Sequence, residues 1–73
     1  MNTNKSIYSI VRNETNEVIF VTDNFTFIKL YVSKHFPNYI VNEKYKMIVI
    51  NSKNFTFNKI DMNYDIYSGE YYE

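Results

Sequence analysis

The chain is patterned in short blocks. Runs of alternating or continuous apolar residues are separated by clusters of Asn, Asp, Glu, Ser and Thr. Residues 6–12, Ser-Ile-Tyr-Ser-Ile-Val-Arg, alternate in part and predict a strand, and so does Glu17-Val-Ile-Phe-Val21. The polar cluster Asn13–Asn16 between them makes an antiparallel hairpin the expected connection. Thr22, Asp23 and Asn24 are good helix caps, and the spacing changes behind them. At 100° per residue, Phe25, Ile28, Val32 and Phe36 share one narrow arc, Phe27 and Tyr31 extend it, and Lys29, Ser33 and Lys34 lie opposite. This predicts an amphipathic helix over residues 24–35, ending before Pro37, because the residue before a proline is pushed out of the helical region. Leu30 falls on its polar face, which matters only if Phe27 joins it in a patch.

Strands follow. Tyr39–Val41 is short, and Asn42–Lys44 is a turn. Tyr45–Ile50 carries the unbroken apolar run Met47-Ile-Val-Ile50, which suggests a central strand covered on both faces, with Ile48 and Ile50, or else Met47 and Val49, fully buried. After the Asn51–Asn54 turn, Phe55 and Phe57 are apolar at odd positions, whereas Ile60, Met62, Tyr64 and Ile66 are apolar at even ones. A one-residue slip exchanges the faces of a strand, so a bulge near Asn58-Lys59 is expected. The order is ββαβββ. The expected fold is a single small α+β domain, 1–73, with one antiparallel sheet of about five strands and one helix packed on a face. Residues 1–5 and 68–73 are expected to be flexible.

Composition sharpens this picture. Six Phe, eight Tyr, nine Ile and six Val stand against one Leu and no Ala, a balance that suits strands. A chain of 73 residues buries only about 60% of the surface its unfolded form exposes, so its stability margin is thin. There is no cysteine, which rules out disulfides and thiolate metal sites. No run approaches a membrane span, and the N-terminus has no apolar signal core, so the expected location is the cytoplasm.

Little points to catalysis. The one glycine, Gly69, cannot build a phosphate-cradling loop, and His35 is the one histidine and sits at a helix end. Asp61 and Asp65 would lie about 13 Å apart on a strand, a spacing poorly suited to acid–base work on one bond. The expectation is a protein that is not an enzyme and takes no cofactor or metal.

Charge is the feature that speaks to partners. The formal net charge is zero, yet all eight basic residues lie at or before Lys59. The segment Ile60–Glu73 holds four acids and four tyrosines, which leaves it at −4 against +4 for the rest. Acids spaced along a strand among tyrosines read as a protein-binding edge, because tyrosine is enriched at interface hot spots. The candidate partner-binding residues are Asp61, Tyr64, Asp65, Tyr67, Glu70 and Glu73, facing a basic groove on another protein. The bland alternative is an edge strand guarded by its acids against aggregation. A second surface interleaves bases and aromatics: Lys29, Tyr31, Lys34, His35, Tyr39, Lys44, Tyr45, Lys46 and Lys53. It would suit nucleic acid, but only one arginine is present and the pI is near 6.6, so direct nucleic-acid binding is the less favoured reading. A structural homo-oligomer, with the tail pairing across a symmetry axis, is a third.

The richness in Asn, Ile, Lys and Tyr, without Ala, resembles small open reading frames of phages and mobile elements in AT-rich bacteria. In size and charge the chain also resembles small phage inhibitors, such as uracil-glycosylase inhibitors and some anti-CRISPR proteins. That resemblance implies a viral protein that inhibits a host nucleic-acid-handling defence enzyme in the host cytoplasm.

Overall fold

In a computed structural model, residues 2–65 are described, with side chains placed over residues 5–62. Five strands and one helix follow in the expected order: β1 Asn2–Arg12, β2 Glu17–Thr22, α1 Phe25–His35, β3 Tyr39–Asn42, β4 Met47–Ile50 and β5 Phe55–Asp65. All strand pairing is antiparallel. The strands divide between two sheets, a three-stranded one in the order β2-β1-β5 and the β3–β4 hairpin. The central strand is therefore β1, with Ile10 fully buried, and not the apolar run of β4. A two-stranded hairpin covers only one of its faces. Ile48 is buried and Ile50 half-buried, while Met47 and Val49 on the outer side stay exposed.

Asn24 caps α1: its side-chain oxygen accepts from the Phe27 N–H at 3.1 Å, satisfying one of the free donors of the first turn. The helix ends as Pro37 requires, with Phe36 in an extended conformation and its N–H donating to the Val32 carbonyl. Phe25, Ile28, Val32 and Phe36 pack with Tyr8, Ile10, Ile48 and Phe57 to form the core. Tyr31 is half-buried, stacked on Phe20 at 4.2 Å and in tilted contact with His35 at 4.3 Å. Phe27 leaves the apolar arc and is exposed beside Leu30, so the two form a small apolar patch on the helix.

The bulge lies elsewhere than expected. Ile10 opposes Phe20 and Val11 opposes Val18, so Ile19 on β2 is the extra residue. The β1–β5 ladder runs without a shift from Arg12↔Phe55 to Asn2↔Asp65, through Asn58 and Lys59. The parity change near residue 58 has another cause. Phe55 and Phe57 face the core, and Lys59, opposite the buried Tyr8, and then Asp61 continue on that face to the edge of the cluster and past it. Ile60 and its neighbours at even positions turn to the opposite face of an unbroken strand.

The β2 strand reaches only Tyr8 on β1. Beyond it, Asn2–Ile7 and Ile60–Asp65 continue as a two-stranded ribbon. Among the described residues, no helix is long and apolar enough to cross a membrane.

Candidate functional site: the acidic ribbon and the lysine-rich turn

Of the acidic tail, the ribbon carries Asp61, Tyr64 and Asp65. Their backbones pair with Ser6, Thr3 and Asn2. Asp61 is the one whose side chain is placed. It is largely exposed and accepts from the Ser6 hydroxyl at 2.5 Å across the ladder. Lys59 stands two residues earlier on the same face, with its ammonium 3.8 Å from the same carboxylate oxygen. Residues two apart on a strand share a face, so the Asp61 charge is partly balanced where the segment appeared wholly acidic. Tyr67, Glu70 and Glu73 lie outside the described residues.

Lys59 also ties the two sheets together. Its ammonium donates to the Tyr45 carbonyl at 2.7 Å, and the side chain is only 19% exposed. Tyr45 sits in the four-residue turn 43–46 between β3 and β4, where its N–H donates to Asn42 Oδ1. Lys46 closes that turn at φ 56°, as Asn16 closes the equivalent turn 13–16 at φ 61°. A lysine in the left-handed region costs about 1 kcal/mol, whereas asparagine is tolerated there more easily.

Bases gather around this second turn. The ammonium groups of Lys29 and Lys46 each lie 5.5 Å from the Phe25 ring centre, and that of Lys44 is 5.3 Å from the Tyr45 ring centre. Lys29 pairs with Glu43 at 2.7 Å. Lys29, Lys44, Lys46 and Lys59 thus come from the helix, the turn and β5 to the two ends of the turn, Lys29 and Lys46 at the buried Phe25 ring and Lys44 and Lys59 at Tyr45, offset by Glu43 and Asp61. The remaining members of the basic–aromatic set do not join them. Tyr31 stacks on Phe20 with His35 tilted against it, Lys34 is at the helix end, and the Lys53 main-chain carbonyl accepts from Asn13 Nδ2.

A shallow depression of about 420 Å³ lies on the hairpin, lined by Asn38, Tyr39, Ile40, Val49, Ile50 and Asn51. Its one titratable side chain is Tyr39, so it offers no acid–base pair. Among the described residues, no group of three or more His, Asp or Glu could hold a metal ion.

Sequence reasoning missed Ser6 and Lys59 as partners of Asp61. Ser6 is 55 residues away in sequence and becomes a neighbour only through the β1–β5 register. Lys59 belongs by composition to the basic part of the chain, although strand alternation alone places it beside Asp61. No family model, no curated protein and no solved structure matches the chain.

Proposed function

We propose that this protein is a non-enzymatic protein-binding module that presents its β1–β5 ribbon to a basic groove on a partner. The observation that carries this reading is the exposed Asp61 carboxylate, held by Ser6 on a paired strand that extends past the core. Asp65 follows on that strand, and Glu70 and Glu73 come later in the chain with no further base. Carboxylates on an extended strand can stand in for phosphates. The finer reading is therefore an inhibitor that competes with nucleic acid for a host defence enzyme, of the anti-CRISPR kind, in the cytoplasm of a phage-infected cell.

The test is capture from a bacterial lysate by immobilised wild type and by Asp61→Asn/Asp65→Asn in parallel, with short duplex DNA as competitor. The reading expects a protein retained by the wild type, released by the DNA and by salt, and lost with the variant. Equal retention by the variant overturns it.

A second reading rests on the lysines around Tyr45. The Lys44 ammonium over the exposed Tyr45 ring, with Lys46 and Lys59 on either side of that turn, suits a nucleic-acid strand, with phosphates on the lysines and a base on the ring. The Lys29–Glu43 and Lys59–Asp61 pairs take up half of the charge of the four lysines at the turn, which ranks it second. A gel shift that weakens steeply with salt and is lost in Lys44→Gln/Lys46→Gln would raise it above the first.

A further inference from the structure

Among the described residues, the three-stranded sheet is covered on one face only. The helix and the β3–β4 hairpin lie on the side of Tyr8, Ile10 and Phe57. The other face is apolar as well. Register places Ile7 opposite Ile60 and Val11 opposite Val18, and puts Val21 beside Ser9. Val18, Val21 and Ile60 are each more than half exposed, at 53%, 59% and 58%. Contiguous apolar exposure of this kind on a small protein marks a contact surface.

We infer that two copies of this chain pack these faces together in a two-fold symmetric dimer. The charge on the face argues for a second copy over a charged partner. Its other described residues are the buried Ser9, Thr56, Asn58 and the half-buried Met62, none of them charged, with Lys5 at one end already paired to Asp23 at 3.2 Å. The one base and the one acid at its described edge, Lys5 and Asp23, are paired with each other, so neither a basic nor an acidic groove would find an unpaired counter-charge here. The face meeting itself brings no like charges together. A two-fold interface uses the same patch twice, so an apolar centre with a neutral rim is self-complementary. The two sheets would stack about 10 Å apart, as in a β-sandwich.

The area sets the strength. Eleven residues of β1 and β5 span about 36 Å, and two to three strands span about 10–15 Å, or roughly 400 Å² per copy. That is about half of what a standard interface buries per partner, so the dimer is a weak one that forms as concentration rises. The gain would matter to a chain whose core, among its described residues, holds eight buried apolar side chains. This face is opposite the one that carries Asp61, so the inference does not rest on the ribbon reading.

Sedimentation equilibrium of the full chain, from about 5 µM to about 1 mM, tests it. The expected result is an average mass rising from 8.9 kDa towards twice that value. Val21→Lys and Ile60→Lys should each weaken the dimer at least about 30-fold while leaving the circular dichroism spectrum unchanged. Ile60→Thr, which keeps strand propensity, should weaken it about 3–10-fold and serves if the lysine variants do not fold. Asp61→Asn should leave it unaltered, which separates this surface from the ribbon. A mass of 8.9 kDa throughout, or a dimer indifferent to these changes at Val21 and Ile60, overturns the inference.

Discussion

The Lys59 ammonium on β5 donates to the main-chain carbonyl of Tyr45, in the turn between β3 and β4, at 2.7 Å. This bond joins the three-stranded sheet to the turn of the hairpin beside the Tyr8 and Phe25 end of the apolar cluster. Lys59 is mostly buried, so its stem is packed while its charge is shared between the carbonyl and Asp61.

Lys59→Met keeps the stem and removes the donor. A hydrogen bond from a charged group contributes about 1.5–3 kcal/mol where it is shielded from water, and the partial exposure here places the loss at about 1–2 kcal/mol. Urea denaturation would read it. An unchanged midpoint would mean that the turn is held by the Lys29–Glu43 pair and its own hydrogen bonds instead.

Ile10 and Val49 separate a core position from a surface one. Ile10, on the central strand, is fully buried, whereas Val49 is exposed on a hairpin. Ile10→Ala should cost about 2–5 kcal/mol, most of the margin of so small a protein, and leave the chain largely unfolded by circular dichroism. Val49→Ala should change stability by less than about 0.5 kcal/mol.

The turn that ends at Asn16 offers a backbone test. Asn16 has φ 61°, a conformation glycine adopts without cost and a β-branched residue resists. Asn16→Gly should be neutral within about 0.5 kcal/mol, and Asn16→Val should cost about 1–2 kcal/mol, both read from thermal melts. Equal effects would show that the turn relaxes to another geometry.

These contrasts show where the sequence was legible. The helix could be read because Phe25, Ile28 and Val32 recur on one arc, between an Asn cap and a proline stop. The hairpins could be read from polar clusters at residues 13–16 and 42–44. The division into two sheets could not. Four apolar residues in a row at Met47–Ile50 look alike whether one face is covered or two, and the number of neighbouring strands is decided by long-range pairing. The parity change after Phe57 was real but misassigned. Hydrophobic alternation reports which face is apolar, and on β5 that face changes from the helix side to the open side along a straight strand. The acidic edge was legible as composition. Its partners Ser6 and Lys59 needed the register and the strand parity.

Asp61→Asn is the sharpest probe of the ribbon. Asparagine keeps an acceptor for the Ser6 hydroxyl and leaves Lys59 bonded to Tyr45, so the melting temperature should move by no more than about 2 °C. The lost charge should act at a distance. Charges at the rim of an interface mainly set the rate of association, so binding to a basic partner should slow several-fold at low salt. The difference should vanish above about 0.5 M salt, where screening confines electrostatics to a few Å. Surface plasmon resonance at two ionic strengths measures both quantities on one sample. If Asp61→Asn associates at the wild-type rate in low salt, the carboxylate works only within its own strand pair, holding Ser6 and balancing Lys59. The acids beyond it would then guard an edge strand and attract nothing.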